Sequence, residues 1–192
     1  MPRLLVLREC DLLDGRAFGR LISVCLDYAS GGKDLKLLAS IDLDAARQTI
    51  LEGLPVRTRW LVGDQPLRYD FSQGRECLLP LNEVVEERWL VDAWRALLIF
   101  GSSDYADGGG ATPWLTLDRT TGSVMGLDLE RADEPVYLIN SSLRQFVASF
   151  EYLERFLPAG LRLPEDAEDV VRALDDAAYP TSEWRLLLEY IR

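Results

Sequence analysis

Trp114-Leu115-Thr116-Leu117-Asp118, then a tight turn at Arg119-Thr120-Thr121-Gly122, then Val124-Met125-Gly126-Leu127-Asp128-Leu129: this stretch decides the fold class. Both arms alternate apolar with polar residues and a glycine closes the turn, so the segment predicts an antiparallel hairpin. Upstream, Ala96 to Phe100 is a short continuous apolar run closed by Gly101, which predicts a buried strand. Downstream, Val136 to Ile139 predicts another strand after Pro135, and Asn140-Ser141-Ser142 then opens a helix. Ser142 with Gln145 fits an S-x-x-Q capping box. Leu143, Phe146, Val147, Phe150, Leu153, Phe156 and Leu157 recur at three-and-four spacing, which makes one apolar stripe. Pro158 and Gly160 end it, and shorter helices are expected over Glu165–Ala177 and Ser182–Ile191. Strands followed by helices predict an α+β fold, a mostly antiparallel sheet with helices packed on it.

Nearer the N-terminus the pattern is coarser. Leu4–Leu7, Leu21–Leu26 and Leu35–Ile41 look strand-like. Asp42 or Asp44 caps a short helix over Ala45–Glu52, with Gly53 and Pro55 as stop signals. Arg57–Val62 alternates as a strand, turns at Gly63-Asp64-Gln65-Pro66, and pairs with Leu67–Phe71. A further helix is expected over Pro80–Glu87 with Asn82 as its N-cap.

Composition bounds the chemistry. The 192 residues carry 32 Asp and Glu against 21 Lys and Arg, a net charge of −11, and contain no histidine. Histidine-based triads, Cys/His metal sites and a histidine general base are therefore excluded. Strong acidity argues against nucleic acid as a partner. The charge is uneven: residues 1–40 hold six basic and five acidic residues, net +1, so the rest carries −12, and both lysines fall before position 40. Cys10, Cys25 and Cys77 show no CxxC spacing and read as buried, reduced side chains. Arg8, Glu9 and Asp11 interrupt the apolar start, and the longest apolar run is far below the roughly 20 residues of a membrane span. The expected setting is cytoplasmic, without membrane attachment.

The conspicuous polar motifs have plain physical readings. The loop from Gly101 to Gly108-Gly109-Gly110 lacks the Gly-Lys-Ser/Thr of a phosphate loop, and Asp104 and Asp107 would repel phosphate. Two carboxylates beside glycines suit calcium better, yet their spacing misses the EF-hand pattern. What remains is a glycine-rich loop needing positive φ, or a contact loop. Asn140, Ser141 and Ser142 read as helix capping, since no base stands near to activate a serine. Partner-contact candidates are Asp104, Tyr105 and Asp107 on this loop, and Asp128, Glu130, Asp133 and Glu134 after the hairpin. Glu165, Asp166, Glu168 and Asp169 suit a helix start, where anions meet the macrodipole. The five tryptophans read mainly as core, with Trp89 or Trp94 as an exposed anchor.

Leu98-Ile99-Phe100-Gly101, the Gly108-Gly109-Gly110 loop, the hairpin with Leu117-Asp118 and Thr121-Gly122, and Ile139-Asn140-Ser141-Ser142-Leu143 with Phe146-Val147 resemble the SUKH superfamily. Within it the likeness is to the SUKH-4 group of bacterial immunity proteins, whose Trp-containing last helix Trp184-Arg185-Leu186-Leu187-Leu188-Glu189 resembles. The likeness covers roughly residues 55–190, which sets 51–192 as the α+β domain and 1–50 as an N-terminal extension packed on it. It implies a non-enzymatic protein-binding module without catalytic residues, metal or cofactor, which neutralises a toxin of nuclease or deaminase type by direct binding. The acidic core fits a basic toxin domain as partner. A regulatory or scaffold module is the alternative, and a carboxylate-dependent hydrolase the remote one.

Overall fold

The hairpin is present. In the computed structural model, which describes residues 41–63, 65–86, 90–105, 113–130 and 135–191, Trp114–Asp118 pairs antiparallel with Val124–Leu127. Its turn is built by Asp118, whose Oδ1 accepts from the Thr120 amide (2.8 Å) and hydroxyl (2.7 Å). Gly122 sits at φ +79°, a backbone region that disfavours a side chain.

In chain order the elements are α1 (Leu43–Gly53), β1 (Arg57–Val62), β2 (Gln65–Asp70), α2 (Ser72–Glu76), β3 (Leu79–Pro80), β4 (Leu97–Tyr105), β5 (Trp114–Asp118), β6 (Val124–Leu127), β7 (Val136–Asn140), α3 (Leu143–Glu154), α4 (Ala167–Leu174) and α5 (Glu183–Ile191). The strands form one seven-stranded sheet in the order β1-β2-β4-β5-β6-β7, and every pairing is antiparallel. β2 and β3 share one edge of β4: β2 takes Ser102–Tyr105 and β3 takes Leu98 and Ile99. The architecture is α+β, and Ser40–Arg192 makes one compact unit.

Helix α1 starts where Asp42 Oδ1 accepts from the amides of Asp44 and Ala45, as its capping sequence predicts. It straddles position 50 and belongs to the core: Ile50 is fully buried and Leu54 nearly so. The closing Gly53 faces Val147 so tightly that any added Cβ would run into that side chain. The strand-like segments at 4–7, 21–26 and 35–40 lie outside the described residues.

Two expectations need correction. Gly101 does not close β4; the strand runs on to Tyr105 with a register shift between Ile99 and Gly101. A Cβ at Gly101 would lie 2.7 Å from the Phe71 ring and 2.9 Å from the Asp70 carbonyl oxygen. The glycine is there because the chain leaving β2 crosses β4 at this point. The Pro80–Glu87 helix is only a 3-10 turn at Leu81–Glu83, and Asn82 caps nothing. Leu79 and Pro80 are taken up by pairing with β4, and so short a remnant cannot sustain an α-helix alone.

Helix α3 lies across the sheet with the predicted stripe inward: Leu143, Phe146, Val147, Phe150 and Leu153 are all buried. It meets Trp60, Tyr69, Phe71, Phe100 and Trp184 in one aromatic cluster. Its capping box is realised with a variation. Ser142 Oγ accepts from the Gln145 amide at 3.3 Å and donates to Gln145 Oε1 at 2.7 Å. Ser142→Ala is expected to cost about 1 kcal/mol of unfolding free energy in urea melts and to leave partner binding unchanged. A variant that melts like the parent but no longer binds would refute a capping role.

Cys77 is half-buried, with Gln73 Nε2 3.1 Å from its Sγ and donating to its carbonyl at 3.3 Å. Cys10 and Cys25 lie outside the described residues.

Candidate partner-binding surface

The motif residues divide into two groups with different jobs. Asn140, Ser141 and Trp184 converge on a carboxylate that the sequence does not advertise, Asp175. Asp175 closes α4, is 3% exposed, and receives four hydrogen bonds. Its Oδ2 accepts from Asn140 Nδ2 (3.1 Å) and the Ser141 amide (2.6 Å). Its Oδ1 accepts from Ser141 Oγ (2.9 Å) and the Ala178 amide (3.3 Å). Asn140 Oδ1 in turn accepts from Trp184 Nε1 at 2.7 Å. One buried chain of polar contacts thus joins the end of β7, the α4–α5 connection and α5. Every hydrogen-bonding side chain in it is committed inside the fold, as a buried polar group must be.

A second carboxylate does similar work at the other end of α3. Glu154 accepts from Thr58 Oγ1 at 2.7 Å and from Trp60 Nε1, tying the helix to β1. Trp60 is fully buried, so its indole N–H needs this acceptor. Neither acid stands out in sequence, where each is one among 32.

The contact candidates behave differently. Cross-strand register puts Ser102, Trp114, Leu127 and Val136 in one row across β4, β5, β6 and β7. The β4–β5 and β6–β7 connections therefore leave the same end of the sheet, and the β1–β2 turn lies there too, since Leu67 pairs with Tyr105. Asp104 stands at that end, half-buried near the finish of β4, and Tyr105 is the last residue of that strand. Asp128 follows β6; its amide donates to the Pro135 carbonyl at 2.8 Å and its Oδ1 accepts from the Glu130 amide at 2.9 Å. Glu130 is exposed. Asp107, Gly108, Gly109, Gly110, Asp133 and Glu134 lie outside the described residues, as does Trp89.

The acids at 165–169 match their helix-start reading. Glu168 and Asp169 occupy the first turn of α4, and Glu168 pairs with Arg172 at 2.6 Å one turn on. Trp94 is half-buried in a 3-10 turn over Asp92–Ala96, while Trp60 and Trp184 are core.

One carboxyl outside these groups has a shifted acidity. Burial would raise the pKa of Asp70, but the hydroxyl and amide of Ser72 and the Arg57 guanidinium outweigh it and hold it below the ordinary value. Asp70 is thereby kept ionised at the junction of β2 and α2. Among the described residues, no cluster of three or more His, Cys, Asp or Glu is placed to hold a metal, and no helix is long and apolar enough to cross a membrane. No family model, curated protein or solved structure matches the chain.

Proposed function

We propose that this chain is a non-enzymatic protein-binding module of SUKH type, an immunity protein that neutralises a bacterial toxin domain by binding it through the acidic end of the sheet. The observation that carries the reading is topological. Two connections separated in sequence leave one end of the sheet, so Asp104, Asp128 and Glu130 stand on a common side. A domain with a net charge of −12 beyond residue 40 draws a basic partner toward that side. Supporting it, the residues that carry the SUKH likeness in β7 and α5 are those that lock the helices to the sheet. Such a likeness marks a scaffold, with recognition left to the connections.

Steering of this kind raises association rates roughly 10–10³-fold and makes them fall with salt. The test is co-expression with a candidate toxin domain of nuclease or deaminase type, chosen from the gene neighbourhood. Cells carrying the toxin are expected to survive only when this protein is present. The triple variant Asp104→Asn, Asp128→Asn, Glu130→Gln is expected to slow association about tenfold at low salt without changing the melting temperature. Absence of both rescue and a low-salt complex would overturn the proposal.

A further inference from the structure

The outer face of the β1–β2 hairpin carries a surface of the opposite sign. Along β1 the side chains alternate: Trp60 and Val62 turn inward, while Arg57, Arg59 and Leu61 turn outward and are exposed. Register sets Arg59 directly opposite Arg68 of β2, with Arg57 opposite Asp70 and Leu61 opposite Pro66. Arg57 is answered by Asp70 at 2.7 Å. Arg59 and Arg68 are not: both are exposed, and among the described residues neither has an ion pair, hydrogen bond or ring contact. Asp104 faces Arg68 in register from β4, yet no ion pair joins them.

Two arginines directly across a strand pair repel and weaken the sheet. Acidic residues outnumber basic ones by 32 to 21 in this chain, so leaving this pair unanswered is costly and not forced by composition. Beside it lies exposed apolar surface. Leu61 is 40% exposed, and a Cβ on Gly160 would come within 3.2 Å of its Cδ1. Leu161, 55% exposed, follows directly. Arginine is the charged residue enriched at protein interfaces, and exposed apolar surface beside it is available for a partner to cover.

From this we infer that the hairpin face centred on Arg59 and Arg68 docks an acidic segment of another protein, whose carboxylates take the two guanidiniums and whose apolar side chains cover Leu61, Pro66 and Leu161. Guanidiniums suit carboxylates and phosphates alike. The aliphatic neighbours Leu61, Pro66 and Leu161 decide between them: they can bury the apolar side chains of a peptide and offer phosphates nothing. This face adjoins the acidic end of the sheet, since Asp104 stands opposite Arg68 in register, but it takes a ligand of the opposite charge and is read by a separate experiment.

The test is fluorescence anisotropy with a fluorescein-labelled peptide rich in Glu and Leu, titrated with the full chain. Saturable binding is expected, weakened about tenfold in Arg59→Gln with Arg68→Gln, and lost when Gln replaces Glu in the peptide. The melting temperature of the double variant should be equal to or above that of the parent, because repulsion is relieved. Three results would overturn the inference: no binding, tighter binding of a single-stranded oligonucleotide of equal length, or concentration-dependent self-association that the double variant abolishes. The last would make the occupant a second copy of this chain.

Discussion

Asp175→Ala is expected to lower the unfolding free energy by about 3–5 kcal/mol, the largest loss from any single polar substitution in the described fold. Four donors lose their acceptor at once: Asn140 Nδ2, the Ser141 amide and hydroxyl, and the Ala178 amide. Asn140 is 1% exposed and Asp175 3%, so water cannot reach in to replace the carboxylate without opening the fold. An unanswered buried donor costs roughly 1–3 kcal/mol, and the Asn140 amide must then also hold Trp184 Nε1 with half its own support gone. Asp175→Asn keeps the volume and one acceptor oxygen but turns an NH2 group toward donors, so its loss should lie between zero and that of alanine. Urea melts followed by tryptophan fluorescence measure both, because Trp184 sits inside the affected network. A loss under about 1 kcal/mol for Asp175→Ala would mean that the network is ornamental and that α4 and α5 are held by apolar packing alone.

This network shows what could be read from the chain and what could not. The hairpin at 114–127 and the capped stripe of α3 are local: the turn, the alternation and the three-and-four spacing all lie within one short window. The Asp42 cap and the β1–β2 pairing are legible for the same reason. Asp175 answers donors 34 and 35 positions away, and Glu154 answers donors 94 and 96 positions away. No local pattern encodes such a partner, so both acids look like surface charge in one dimension. The Pro80–Glu87 segment shows the same thing in reverse: its local pattern suits a helix, but Leu79 and Pro80 are claimed by a distant strand. Gly101 carries the ambiguity in one residue: glycine marks both strand ends and close crossings, and only the position of Phe71 separates them.

At the contact surface, residue types were legible and their assembly was not. Alternation along β1 already puts Arg57 and Arg59 on one side of the strand, but only the register to β2 reveals Arg68 directly opposite. Asp104 and Asp128 similarly become neighbours in purpose through sheet order, because β4 and β6 run the same way on either side of β5.

The second large effect belongs to the aromatic core. Phe150→Ala is expected to cost about 3–5 kcal/mol, close to the limit of a small domain's stability. Phe150 is fully buried and its ring touches four others: Trp60 at 4.6 Å, Tyr69 and Phe71 each at 5.1 Å, and Phe146 at 6.0 Å between centroids. Two of these, with Tyr69 and Phe71, are edge-to-face, the arrangement favoured by ring quadrupoles. Phe150→Leu separates the contributions. It restores most of the apolar volume but none of the ring geometry, and should still cost about 1–2 kcal/mol if edge-to-face contacts matter beyond buried area. The double variants Phe150→Leu with Tyr69→Leu and Phe150→Leu with Trp60→Leu complete thermodynamic cycles that isolate each pair. Coupling is expected to be positive in both, and larger with Tyr69, where the rings stand at 85° against 35° for Trp60. Equal costs for alanine and leucine would instead show that shape, not apolar volume, holds α3 on the sheet. Additive losses in both cycles would show that the cluster acts as plain hydrophobic mass.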